Sequence, residues 1–242
     1  MNQIFNKKIS KYYNKNQAEQ YEGRRNNPTW LAEIEIFHKI KKKIATKYNR
    51  KIKILDVPAG TGRWITEIQD IASNYLGVDV SKNMLDQAEL KLKDCSNEFK
   101  KNVKLINSSV AELPLHYSGS FDLIISTRFL PHFSIHEIKN IMNILRSYSK
   151  EDLLIMVRVT DRKISILFEI FELVLKSPFG AIKRYLKTGR LSYTKLDSAY
   201  ENIFRETGFN VIKKNLVSED KYSKFEYWEL TIKNTNKISK DI

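Results

Sequence analysis

Cysteine is all but missing from this 242-residue chain. Cys95 stands alone, so no disulfide framework can hold the fold together. Its neighbours Asp94, Ser96 and Asn97 are polar, and an exposed position is expected for it. Glycine (eight) and proline (five) are scarce, which excludes collagen-like and linker-like architectures and makes the places where they gather informative. Long apolar runs are missing too. The greasiest stretch, Ile164 to Leu175, is broken by Glu169 and Glu172 and is too short to cross a bilayer. Met1 to Lys8 contain no apolar signal region, so a soluble cytoplasmic protein is expected. No His/Cys/Asp cluster has metal-ligand spacing, and no metal is expected.

Acid is the minority charge: 28 Asp and Glu stand against 42 Lys and Arg, a net charge of +14. That excess points towards nucleic acid, but the residue types argue otherwise. Lysine supplies 31 of the 42 cations and arginine 11, in a chain with 28 Ile and 19 Asn. This bias fits an AT-rich coding sequence, whereas phosphate and base recognition favours the rigid arginine fork. The densest run, Lys39 to Lys43, reads as a solvated helix face. Nucleic acid is therefore not an expected partner.

The informative residues run from Ile52 to Trp64: Ile-Lys-Ile-Leu-Asp-Val-Pro-Ala-Gly-Thr-Gly-Arg-Trp. An apolar strand ends on Asp56, a turn with Gly60 and Gly62 follows, and a helical pattern begins with Trp64, Ile65 and Ile68. Both glycines are expected where backbone and ligand approach closely, with a helix N-terminus behind them. A second strand, Tyr75 to Val78, also ends on an acid, Asp79, placed where a nucleotide ribose is gripped by its hydroxyls. A dinucleotide fingerprint would need a third glycine where this chain has Ile65, which argues against NAD or FAD.

This stretch resembles motif I of the class I S-adenosylmethionine (SAM) methyltransferases, with Pro58 in place of the first glycine. Proline stiffens the turn and holds residue 57 extended. The Asp-Val-Pro-x-Gly-Thr-Gly-Arg form is similar to small-molecule-type members. Gly77-Val78-Asp79-Val80-Ser81 with Met84, Leu85 and Ala88 resembles the second motif, Ser81 being a candidate N-cap. Strand Val103 to Ile106 leads to Ser109-Val110-Ala111-Glu112-Leu113-Pro114, similar to the adenine-reading stretch. The usual Asp-Ala is Ser109-Val110 here, a weaker acceptor for the adenine amino group. Phe121 to Ser126 looks like the fourth strand, and Arg128 to Phe133 like the loop at the methyl-transfer site. The likeness covers about residues 48 to 160. It implies a doubly wound, Rossmann-like α/β fold with a mostly parallel seven-stranded sheet and an antiparallel last strand. It also implies SAM as cofactor, held by Asp56, Pro58, Ala59, Gly60, Gly62, Asp79, Val80, Met84, Ser109, Val110 and Thr127.

Around this core, residues 1–47 read as a helical segment covering the site, with Asn27-Pro28-Thr29 starting its main helix. Tyr13, Tyr21, Arg24 and Arg128 are candidate acceptor contacts. The domain proper spans 48–232, with Asp152 to Val159 as a fifth strand and Gly208 capping a helix before the last two strands; 233–242 read as a flexible tail. Residues 161–191 form a helical insertion. Its apolar positions, among them Phe168 and Phe171, either make a basic-rimmed lid for a lipid-like acceptor, with peripheral membrane contact, or cover the sheet as an ordinary helix pair. A hydroxyl nucleophile needs a base, and His132 and then His136 are the candidates. No Asn-Pro-Pro-Tyr motif marks methylation of base or glutamine nitrogen. The expected activity is methyl transfer to a small-molecule or lipid-linked acceptor, at oxygen. The alternatives are an RNA methyltransferase and a SAM-binding protein without turnover.

Overall fold

The computed structural model describes residues 15–23, 27–188 and 192–233. Its centre is a sheet of seven strands in the order β3-β2-β1-β4-β5-β8-β7. These are β1 (Ile52–Asp56), β2 (Ala72–Asp79), β3 (Val103–Asn107), β4 (Phe121–Ser126), β5 (Ser149–Thr160), β7 (Phe209–Glu219) and β8 (Lys224–Ile232). A two-residue strand, β6 (Lys195–Leu196), pairs with Val159 and Thr160 at the end of β5. Strands β1 to β5 run parallel, and β8 is antiparallel to both neighbours. Central parallel strands are covered on both faces, which is why β4 is buried at all six positions. The order reverses between β1 and β4, and the crevice at their carboxyl ends is where this fold class binds ligands.

Helices cover both faces. On one side lie α2 (Pro28–Tyr48), α3 (Ile65–Ile68), α4 (Lys82–Leu92) and α5 (Asn97–Lys100). Asn27 caps α2 by accepting the Trp30 N–H at 3.1 Å. Phe37 and Ile40 of α2 join Ile54, Ile125, Leu154, Met156 and Tyr227 in one core layer. On the other side lie α6 (Leu113–His116), α7 (Ile135–Tyr148) and α10 (Asp197–Glu206), whose Ile138, Leu145, Tyr200 and Phe204 pack on Leu55, Leu76, Ile155 and Trp228. Ser134 and Glu137 close a capping box at the start of α7. A short α1 (Lys15–Gly23) rests on α4, and α8 (Lys163–Lys176) and α9 (Pro178–Thr188) form a hairpin after β5.

One expectation changes, the exposure of Cys95, and two details are added. The helix after motif I is one turn long, because β2 begins at Ala72 and leaves no chain for more. Cys95 is buried, 6% exposed, in the layer that holds Ile71 and Phe99. Helix α2 packs on the sheet, with Phe37 and Ile40 in the core. Tyr13, Arg24 and the tail from 234 lie outside the described residues.

Candidate active site

Asp56 ends β1 beside Gly77 of β2. Its Oδ2 accepts the Tyr75 hydroxyl at 2.7 Å, while its Oδ1 is buried without a partner. The turn beyond is tied down by Val57 N–H to Ile125 O (3.0 Å) and Ala59 N–H to Val78 O (2.9 Å). Gly60 and Gly62 both have positive φ, +55° and +69°, yet they do different work. A Cβ on Gly60 would meet only Met84 Cε, at 3.7 Å, so the space beside it is open. A Cβ on Gly62 would strike Ile65 Cδ1 at 2.6 Å and Ala88 Cβ at 2.8 Å. Gly62 thus lets α4 pack on the turn, and the expected ligand approach belongs to Gly60.

Asp79 faces that open space from the end of β2. Its Oδ2 accepts the Gly60 N–H and its Oδ1 the Ser81 N–H, both at 2.9 Å. Ser81 caps α4 through the Met84 N–H. Burial is the main influence on both acids: it pushes Asp56 up to about 7 and Asp79 up to about 6, against the pull of Tyr75 on the first and of backbone N–H groups on the second. Ser109 donates its hydroxyl to Glu112 Oε2 at 3.0 Å, which leaves its oxygen lone pairs to accept. The Val110 side chain lies in the apolar core, so only its backbone is open to a ligand.

A third group was not foreseen from the sequence. Glu33 of α2 is fully buried and binds both Arg63, just after the glycine turn, and Arg128, just after β4. The two guanidinium carbons lie 4.3 Å and 4.4 Å from the Trp30 ring centre, and Arg63 also donates to Trp30 O at 3.1 Å. Tyr21 meets Trp30 edge-on at 5.4 Å. Trp64 stacks on Phe37 at 3.9 Å and donates to Thr127 Oγ1 at 3.3 Å. Arg128, with φ +55°, is therefore pinned to α2. Around it stand further buried polar atoms without partners: Arg63 Nε, Ser126 Oγ and Tyr227 Oη. With Asp56 Oδ1 they are buried polar atoms left unsatisfied near the carboxyl ends of β1 and β4. Buried polar atoms are ordinarily satisfied, so these are candidates to meet a ligand.

Comparison with known proteins agrees with this geometry. Residues 54–152 match the family model described as a methyltransferase domain. The chain carries a methyltransferase domain there, with SAM as its cofactor. The demethylmenaquinone methyltransferase of Lactococcus lactis is 25% identical over 177 residues, 67% of each protein. The magnesium protoporphyrin IX methyltransferase of Synechocystis PCC 6803, solved with SAH bound, superposes with a TM-score of 0.71 at 14% identity over 94% of this chain and 99% of that one. A SAM-dependent methyltransferase from Clostridium acetobutylicum gives 0.58 at 12% identity, over 88% and 95%.

The methyltransferase's own residues fit SAM: open space at Gly60, carboxylates at both strand ends, and unpartnered Asp56 Oδ1 and Arg63 Nε. Among the described residues no group of three or more His, Cys, Asp or Glu could hold a metal. His132 closes a 3₁₀ turn, Leu130–His132, and is half-buried. Its ring centre is 5.0 Å from that of Tyr193, and Lys195 donates to Pro131 O at 3.0 Å. His136 instead lies exposed on α7, with Nε2 3.3 Å from Asn140 Nδ2. Phe168 and Phe171 are 50% and 59% exposed on the outer side of α8, so the insertion's apolar stripe does not cover the sheet.

Proposed function

We propose that this methyltransferase acts on a small-molecule or lipid-linked acceptor, at oxygen, with His132 as the base. One observation carries the reading. The half-buried His132 sits at the carboxyl edge of β4, and the apolar α8–α9 hairpin leaves and rejoins β5 at that same edge. Bound SAM supplies an electrophilic methyl group. In this reading Asp79 accepts the ribose hydroxyls, and Ser109 accepts from the adenine amino group. Asp56 and Arg63 take the ammonium and carboxylate of the methionyl end, and Met84 and Val80 flank them. Catalysis then needs alignment, exclusion of water and removal of one proton from the acceptor hydroxyl, which falls to His132. In this reading Tyr21, behind Trp30, and Phe168 and Phe171 shape the acceptor's approach. The demethylmenaquinone methyltransferase, named for a small-molecule acceptor, supports the same class.

RNA is the competing acceptor, and it rests on net charge. The lysines of α2 speak against it: Lys39 pairs with Glu35, Lys41 with Asp70, Lys43 with Glu229, and Lys47 with Glu151 and Asp152. A cation face already matched to carboxylates has little charge left for phosphates. Incubating the protein with methyl-labelled SAM and a cell extract, then separating RNA, protein, lipid and small-molecule pools, tests the choice. Label is expected in the lipid or small-molecule pool and should be lost with His132→Ala. Label in RNA would overturn the reading.

A further inference from the structure

Sixteen large apolar side chains are exposed among the described residues, and ten of them lie in α8 and α9. In α8 the exposed positions are Ile164, Leu167, Phe168, Phe171, Val174 and Leu175. They recur at helical spacing and form one stripe. The stripe faces outward. On the inner side Glu169 is buried, held by Ser192 (2.8 Å) and Arg158 (3.6 Å), and Glu172 is half-buried between Lys176 (3.0 Å) and Lys221 (2.8 Å). The helix is inverted relative to the usual rule, with its acids inside and its hydrocarbon in water. Helix α9 repeats this: Ala181 is buried, while Phe179 is 86% exposed and Ile182, Tyr185 and Leu186 are exposed with it.

The charges supply the second observation. Glu169 and Glu172 are the only acids of the two helices, and both have cationic partners. Lys163 and Lys183 are exposed beside the stripes, and the sequence adds Arg184 and Lys187 to α9. The outward surface is therefore hydrocarbon rimmed by positive charge.

We propose that α8 and α9 form a docking hairpin that lies in the headgroup region of an anionic bilayer. The helices have 14 and 11 residues, and no helix among the described residues is long and apolar enough to cross a membrane. Lying in the interface is the arrangement that buries two short apolar stripes while keeping the lysines among anionic headgroups. The hairpin departs after Thr160 and returns at Leu196, which pair with each other, so docking turns the carboxyl edge and His132 towards the lipid. It goes beyond the proposed acceptor chemistry and does not depend on it.

Cosedimentation of the full chain with phosphatidylcholine vesicles, with and without phosphatidylglycerol, tests this. Binding to the mixed vesicles should be at least about tenfold tighter than to neutral ones and should weaken with salt. Leu175→Asp with Phe179→Asp should reduce it about tenfold or more. Lys163→Glu with Lys183→Glu should abolish the preference for anionic lipid. SAM binding and the thermal transition should be unchanged in both variants. Equal binding to the two vesicle types, or none, overturns the proposal. So does a dimer that Leu175→Asp dissociates, which would assign the face to a second copy of the chain. Should the aspartate pair fail to fold, the lysine pair and the wild-type lipid preference still decide.

Discussion

The strand ends of β1 and β4 and the hairpin after β5 depart from ordinary burial in opposite directions. Near the strand ends, Asp56 Oδ1, Arg63 Nε, Ser126 Oγ and Tyr227 Oη are polar, buried and unpartnered. In the hairpin, Leu167, Phe171 and Phe179 are apolar and exposed. Both carry a free-energy cost in the isolated chain, and both are relieved by a partner of the right chemistry. In the proposed reading a zwitterionic cofactor would satisfy the first and a lipid interface the second. Exposed single leucines elsewhere, such as Leu31 and Leu90, carry no such message; the signal lies in several deviations gathered in one place.

The largest effect should come from breaking the buried ion pairs of Glu33. Glu33 neutralises two arginines from a fully buried position, so Glu33→Ala leaves uncompensated charge inside. A loss of about 3–5 kcal/mol in unfolding free energy is expected, measured by denaturant titration. SAM affinity should fall as well, since Arg63 loses its anchor. A Glu33→Ala protein of wild-type stability would show that the arginines reach water.

Next comes the cofactor contact itself. Asp79→Ala removes two charge-assisted acceptors, each worth about 1.5–3 kcal/mol, so calorimetry should find SAM bound at least about tenfold more weakly by a folded protein. The same carboxylates set two opposed pH trends. Both have folded-state values raised above the ordinary 3.8, to about 6 for Asp79 and about 7 for Asp56. Their contribution to stability is full below the unfolded value and is lost as pH rises through 6 to 7. SAM affinity should run the other way, because the ionised forms are the acceptors. Asp56→Asn should remove the share of both trends that Asp56 carries, and a SAM affinity constant between about pH 5 and pH 8 would remove these acids from the site.

Much of this was legible in the chain. Five apolar runs became β1 to β5, Asn27-Pro28 marked the start of α2, and Gly208 with φ +83° follows α10. These features are local, and local sequence fixes them. Glu33 was not legible, because a charge on an apolar helical stripe reads as a gap until its partners, 30 and 95 residues away, are brought to it. The length of α3 was not legible, because the spacing of Trp64, Ile65 and Ile68 says helix but not how long. Cys95 was misplaced because its neighbours are polar while the fold tucks it beside Phe99. Periodicity gave α8 its stripe but could not say which way the stripe would face.

That last ambiguity gives the smallest predicted effect on folding. A stripe turned inward would make Phe168 and Phe171 core residues, and their replacement by serine would cost several kcal/mol. At 50% and 59% exposure they should behave as surface positions, with Phe168→Ser/Phe171→Ser changing stability by no more than about 0.5 kcal/mol per site. SAM affinity should not move, since its motifs all lie upstream on other strands. The acceptor KM should rise if the acceptor is lipid-linked, because the substitutions remove hydrocarbon from the edge where the methyl group leaves. Thermal denaturation separates the cases: a cooperative transition near the wild-type temperature keeps the stripe outside, whereas a drop of many degrees would place it in the core and erase the contrast with the unpartnered polar atoms.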